Sequence, residues 1–174
     1  LMGNYLCFYK YYNDSSKLRL NNINFDDIQY FSFNKMEFTA KVVDVYDGDT
    51  CSVIFKLSNK YIKFRCRCLG YDSPEMKPSK DLENRDEIKL FANKAKNFFI
   101  NQVTDINIDE NIIYDKKDLK ARLLTNHKLI KIKTYTWDKY GRLLAEFYNN
   151  NVNVNNLMIE KGHGYPYEGG TKRT

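Results

Sequence analysis

The chain is poor in the residues that staple small secreted proteins or build metal cages. Only four of its 174 residues are cysteine, at positions 7, 51, 66 and 68. They are too few and too closely placed for a disulfide-dense secreted fold. Cys66 and Cys68 stand two apart in an apolar stretch, so on a strand they share one face and read as buried, reduced thiols. The two histidines, His127 and His163, are far apart, which argues against a zinc site, because zinc needs a second Cys/His pair at ligand spacing. No apolar run approaches the roughly 18–20 residues of a membrane-spanning helix, and the start of the chain has no apolar core of a secretory signal. A reduced chain without such a signal is expected inside the cell.

What is present is a core and a modest positive charge. Hydrophobic residues make up 43%, aromatic ones 15% and charged ones 29%, a mixture that folds rather than stays disordered, and the length suits one domain with a short appendage. Lys and Arg number 28 against 22 Asp and Glu, for a net charge of +6. That balance suits a polyanionic partner, but it has a second source. Asn, Lys, Ile and Tyr together supply 68 of the 174 residues; all have A/T-rich codons, so part of the lysine excess reflects coding bias.

Residues 1–36 read as an N-terminal extension. They carry Tyr5, Phe8, Tyr9, Tyr11 and Tyr12, then Asn21, Asn22 and Asn24, without sustained periodicity. If Met2 is the initiator, Gly3 and Cys7 partly match an N-myristoylation signal with a palmitoylatable neighbour, and membrane association through that segment is one expectation. An extension that packs a few aromatics is the other.

From Glu37 the pattern is that of strands. Phe38–Tyr46 is rich in β-branched and aromatic residues and stops at Asp47-Gly48-Asp49, a turn signal. Thr50–Leu57 and Lys60–Leu69 continue an antiparallel meander. Ile88, Ala92, Ala95, Phe99 and Val103 then recur at helical spacing, predicting an amphipathic helix of about five turns. Residues 104–127 read as an insertion, in which Asp115 caps a short helix through Leu124. Strands return at Lys128–Thr136, with an imperfect alternation, and at Arg142–Tyr148. Val154, Leu157 and Met158 mark a last helix, N-capped by Asn153 and stopped by Gly162. Five short strands, with one helix after the third and another after the fifth, predict an α+β, mainly β fold: a small closed barrel of the OB type with two or three packed helices, spanning residues 37–174.

Three stretches could do chemistry. Asp47-Gly48-Asp49-Thr50 is a hairpin turn by itself; it does not fit an EF-hand, for lack of the further oxygen ligands. Arg67 to Glu75 places Asp72 and Glu75 around Pro74, which fixes φ and biases Ser73 to extended geometry. That set reads either as a surface salt-bridge cluster or, with Asp49, as carboxylates that could surround one hard cation. Trp137 to Arg142 is a turn at Gly141 that ends in an arginine, whose planar fork suits phosphate.

In this order and spacing the motifs resemble the staphylococcal nuclease (thermonuclease-like) family over about residues 37–170. The family pattern looks like D-G-D-T, then R-x-x-x-x-D-[TSA]-P-E, then D-x-Y-G-R, then a helix ending in Gly. It reads here as Asp47–Thr50, Arg67–Glu75, Asp138–Arg142 and Val154–Gly162. Arg65 rivals Arg67 as the first arginine, but only Arg67 stands five residues before Asp72.

The resemblance implies an OB-type barrel and a Ca²⁺-dependent phosphodiesterase acting on DNA and RNA, with single strands preferred and 3′-phosphates released. Carried over by position, Asp49, Asp72 and the backbone carbonyl of Ser73 would hold Ca²⁺. Glu75 would orient or deprotonate the attacking water, and Arg67 and Arg142 would grip the phosphate. Lys139 and Tyr140, with Tyr165 or Tyr167, would contact the nucleotide. The expected protein is a monomer. The start at Met2-Gly3 and Cys7 is similar to that of plant-type calcium-dependent members. The family's last helix has little room after Tyr167: either the sequence is cut short there, or the N-terminal extension supplies replacement packing. The rival reading is a non-catalytic OB-type nucleic-acid-binding module that stacks bases on Tyr and Phe.

Overall fold

A computed structural model describes residues 20–168. The acylation positions expected at Gly3 and Cys7 lie outside the described residues, as does the tail from Gly169 onward. The chain divides into two compact units, residues 1–32 and 33–174. In the first, Phe25–Asp27 forms a single 3-10 turn, and the side chain of Asn24 accepts from the Asp26 N–H at its start.

The second unit is a barrel. The predicted meander forms as β1 (Glu37–Val45), β2 (Thr50–Leu57) and β3 (Lys60–Cys68), each antiparallel to the next. Their alternation puts Ala40, Val42 and Val45 of β1, Val53 and Phe55 of β2, and Cys66 and Cys68 of β3 inward and buried. After the two-residue β4 (Tyr71–Asp72) the chain returns as β5 (Ile130–Trp137) and β6 (Leu143–Asn149). β5 pairs with β1 and with β6. β6 then closes the circuit by running parallel to the end of β3, Cys66–Cys68 against Leu143–Ala145. The five long strands therefore leave one closed, mixed barrel of the OB type, as the strand count predicts. The imperfect alternation before β5 has a simple outcome: the strand begins at Ile130, and Leu129 stays 63% exposed.

Among the described residues, three helices pack on the barrel. α1 (Arg85–Val103) buries Ala92, Ala95, Phe99 and Val103 of the predicted stripe, and Ile100 beside them, while Ile88 in the first turn is half-buried; Phe99 lies edge-on to Phe147 of β6. α2 (Lys116–Leu124) lies within residues 104–127; the carboxylate of Asp115 accepts from Lys117 and Asp118 N–H, and Leu119 and Leu123 are buried. After the short β7 (Val152–Asn153) comes α3 (Val154–Glu160), whose N-cap Asn153 accepts from the Asn156 N–H. α3 ends at Glu160 with Lys161 as its C-cap; Gly162 follows at φ 73°, and the His163 N–H returns to the Met158 carbonyl, closing the last turn as a left-handed C-cap does.

One barrel end is closed by aromatics. Phe33 sits among Phe38, Phe55, Phe64 and Trp137, with ring centroids 5.1–6.2 Å away. The three described cysteines are free and buried. Burial pushes their thiols up, that of Cys66 to about 12, so they are small core hydrophobes, as expected of Cys66 and Cys68.

Candidate active site

The β1–β2 turn gives the site its central carboxylate. Tyr46 and Asp47 N–H both donate to the Thr50 carbonyl, and the Asp47 carboxylate accepts from the Asp49 N–H. Gly48 is required here by space rather than by φ: a Cβ would meet those of Ser73 and Ala95 at 2.9 and 3.0 Å. The turn is thus pressed against the segment after β4. It is pinned by the buried Tyr71 hydroxyl, which donates to the Gly48 carbonyl, and by the Cys68 N–H, which donates to the Asp49 carbonyl at 2.7 Å.

Asp49 is 2% exposed and its carboxylate is fully partnered. Oδ2 accepts from the Ser73 N–H (2.9 Å) and hydroxyl (3.2 Å), and Oδ1 from the Thr50 hydroxyl (2.8 Å) and Arg67 Nη1 (3.0 Å). The other end of the Arg67 fork donates to Oδ1 of Asp72, which is equally buried. β4 pairs with β8 (Tyr165–Pro166), which sets Asp72 against Tyr165, and the Tyr165 hydroxyl donates to Asp72 Oδ2 at 3.1 Å. Burial alone would raise Asp49, but the Arg67 guanidinium and the Ser73 N–H hold it below the usual carboxylate range. Burial also opposes the charge on Arg67, but the two carboxylates outweigh it and hold the guanidinium more firmly protonated than usual. Asp47 goes the other way: burial, then the repulsion of Asp49, pushes it up to about 7.

The second arginine arrives from the β5–β6 turn. Asp138 organises that turn, Oδ1 accepting from the N–H of Tyr140 (2.8 Å) and Arg142 (2.9 Å), while Gly141 takes φ 74°. Oδ2 accepts Arg142 Nε at 2.7 Å and so aims the rest of the guanidinium. Burial would raise Asp138, but the N–H and guanidinium of Arg142 hold it below its ordinary value. Arg142 Nη1 then donates to the Thr50 hydroxyl at 3.2 Å. One hydrogen-bonded chain results: Arg142 to Thr50, Thr50 to Asp49, Asp49 to Arg67, Arg67 to Asp72, and Asp72 to Tyr165.

That chain lies along an open cleft of about 1310 Å³ whose walls include Asp47, Asp49, Arg67, Asp72, Glu75 and Arg142. The volume exceeds the roughly 300–1,000 Å³ of small-molecule pockets and has room for a segment of polymer. Lys139, Tyr140 and Tyr167 also line it. Tyr140 is 72% exposed and lies under Arg142 at 5.3 Å and Lys139 at 5.1 Å; Tyr167 lies under Arg67 at 5.4 Å. Glu75 is exposed, with the Lys77 N–H on Oε1 at 3.3 Å. Of the two tyrosines the resemblance offers, Tyr167 is the one in the cleft wall; Tyr165 stands behind Asp72.

Residues 65–173 match the family model described as staphylococcal nuclease homologue. The chain belongs to that family. No curated protein matches it. The match begins inside β3 and takes in Arg67, Asp72, Glu75 and Arg142, whereas Asp49 lies before it, on the turn that the fold presses against Ser73.

Members of the staphylococcal nuclease family are expected to use Ca²⁺, and the donor chemistry here fits a hard cation. Asp49, Asp72 and the Ser73 carbonyl offer oxygen only, while the thiols lie inside the barrel. Among the described residues, however, no group of three or more His, Cys, Asp or Glu side chains forms a metal cage. The grouping of Asp49, Asp72 and Glu75 around one ion is therefore not preformed, because Arg67 bridges the first two. A cation would share these carboxylates with a resident guanidinium.

Sequence reasoning missed the supporting residues of this nuclease-family site. Thr50, Tyr71 and Asp138 were each inside or beside a recognised motif, yet their roles are contacts across the barrel. Asp138 was the most legible: an Asp that opens a tight turn and has an Arg four residues on is a local signal. Asn155 had none. From α3 it donates to the carbonyls of Leu69 and Ala145 and accepts the Phe147 N–H, tying the end of β3 to β6 behind the site.

Proposed function

We propose that the protein is a Ca²⁺-dependent nuclease that hydrolyses phosphodiesters of single-stranded DNA and RNA and leaves 3′-phosphates. The observation that supports it is the linkage of two guanidiniums, Arg67 and Arg142, through Asp49 and Thr50 at the wall of one cleft sized for a polymer segment. A phosphodiester is an anion that repels an attacking oxygen. Two planar forks that take its non-bridging oxygens lower that repulsion and hold the charge that builds on the five-coordinate phosphorus. Asp138 keeps Arg142 from rotating away, so the donor is oriented before substrate arrives. Glu75, exposed in the cleft wall, orients the attacking water or takes a proton from it. The water oxygen bonds to phosphorus and gives up its proton as the P–O5′ bond breaks; the leaving O5′ takes up a proton from solvent, and the phosphate stays on the 3′ side. A hard divalent cation, held by Asp49, Asp72 and the Ser73 carbonyl, supplies further positive charge at the phosphoryl oxygens when bound.

A non-catalytic nucleic-acid-binding module is the second reading, favoured by the full occupation of Asp49 by protein donors. One experiment separates the two. Single-stranded DNA and RNA are incubated with wild type, Glu75→Gln and Arg142→Lys, in Ca²⁺ or chelator. Wild type is expected to cut only with Ca²⁺, leaving ends that block polymerase extension until phosphatase treatment. Arg142→Lys is expected to lose on the order of 10²–10³ in kcat, as for removal of one preorganised donor, and Glu75→Gln on the order of 10²–10⁴, as for removal of a positioned base. Binding without cutting by folded wild type would leave the module.

A further inference from the structure

β3 carries more positive charge than the cleft uses. By the strand period of two, Tyr61, Lys63, Arg65 and Arg67 share the outer face, opposite Phe64, Cys66 and Cys68. Arg67 is engaged by Asp49 and Asp72, but Lys63 and Arg65 are exposed, and neither joins an ion pair among the described residues. Neighbours on this face stand roughly 6.6–6.8 Å apart, two strand residues, comparable to the phosphate spacing of an extended single strand. Across the β2 register, Ser52 faces Arg65, Ile54 faces Lys63 and Lys56 faces Tyr61, so β2 adds no carboxylate to the ladder.

The ladder is continuous with the cleft. Tyr46 lines both the large cleft and a smaller one of about 330 Å³ that contains Arg65, Ser52 and Asp44. The Arg65 guanidinium lies 5.3 Å over the Tyr46 ring, which is 47% exposed; Tyr61, at the far end, is 78% exposed. Along residues 60–65 the strand pairs with β2, and pairing with β6 starts at Cys66. Lysine commonly blunts such an edge, but blunting needs neither tyrosines at intervals nor a guanidinium stacked at the cleft mouth. An anionic membrane would use the same cations, whereas continuity with the cleft favours a strand that threads through it.

We propose that Tyr46, Arg65, Lys63 and Tyr61 form an accessory track for single-stranded nucleic acid, a role that rests on the nuclease reading of the cleft while lying outside it. The two cations take phosphates next to the one at Arg67, and the two tyrosines stack bases. The test measures affinity in chelator, so that it can be read without cutting, for oligo-dT of about 4 and about 16 nucleotides, which bracket OB-fold site sizes. It compares wild type with the neutral pair Lys63→Gln/Arg65→Gln and the charge-keeping pair Lys63→Arg/Arg65→Lys.

For the long oligonucleotide the neutral pair is expected to lower the salt slope by about 1.4, two contacts at about 0.7 each, so wild type loses about sevenfold more affinity between about 50 and about 200 mM salt. The long-over-short preference shrinks with it, and the charge-keeping pair retains the wild-type slope. Equal slopes in wild type and neutral pair overturn the track. So does an equal loss on both lengths, an equal loss in the charge-keeping pair, or an effect confined to vesicles of anionic phospholipid. Cutting is assayed separately with Ca²⁺. Steep binding without cutting removes the catalytic reading and leaves the track; cutting with equal slopes does the reverse; no binding in chelator overturns the track, and no binding together with no cutting in Ca²⁺ removes both.

Discussion

Replacing Arg67 by Gln removes a cation that Asp49 and Asp72 share. Their side chains are 2% and 3% exposed, and that of Arg67 is 13% exposed. Breaking a buried ion pair by deleting one partner costs about 3–5 kcal/mol, because a charge is left without compensation. Here Asp49 keeps the Thr50 hydroxyl and the Ser73 donors, and Asp72 keeps Tyr165. The lower end, about 3 kcal/mol, is therefore expected, or about 6–12 °C in Tm for a chain of this size. The deficit depends on pH with a definite sign. Asp49 is held below its usual value in the wild type, so its contribution is present above the unfolded value of about 3.9 and is lost as pH falls through the lower, folded one. In the variant the same acidification neutralises stranded charge. Urea unfolding at neutral pH and near pH 3 is expected to show a large gap that closes on acidification, as a midpoint shift with an unchanged slope. Asp49→Asn added to Arg67→Gln should recover part of the loss. A gap below about 1 kcal/mol at neutral pH would refute the buried ion chain; so would a gap that does not move with pH.

Two glycines separate space from backbone conformation. Gly48→Ala is expected to cost about 1–3 kcal/mol by overpacking against Ser73 and Ala95; Gly141→Ala, in open space at φ 74°, should cost about 1–2 kcal/mol through the left-handed backbone. Asn should be better tolerated than Ala at 141 but not at 48, and denaturation midpoints that fail to separate the sites would contradict this. Asn97→Ala leaves the carbonyls of Asp109, Glu110 and Ile112 without their shared donor, at about 1–3 kcal/mol. Amide exchange is expected to quicken over residues 108–112 while barrel amides keep their protection; unchanged exchange there would show that Asn97 does not hold the segment.

Much of this was legible from local pattern. Strand alternation, the stripe on α1, the caps Asp115 and Asn153 and the stop at Gly162 each depend on residues within a few positions of one another. That is why periodicity and turn chemistry could read them. The asparagines were not legible. Their number suits an A/T-rich coding bias, yet Asn97, Asn126 and Asn155 are buried and bridge elements far apart in sequence, as in the bond from the Asn126 amide to the Val42 carbonyl. A side-chain amide gives no periodic signal, so nothing local separates a clamp from a surface residue.

The two arginines of β3 mark the boundary. The sequence alone determined that Arg65 and Arg67 share a face, because a strand alternates with period two, and spacing to Asp72 singled out Arg67. It also determined the closed barrel, through the number and order of amphipathic segments. Only the tertiary structure decided what each arginine meets. The β2–β3 register sets Arg67 beside Thr50 and Asp49 and sets Arg65 beside Ser52, over Tyr46. Register and barrel closure are long-range agreements between strands, and they alone turn two like charges on one strand into an ion-pair bridge and an exposed rung.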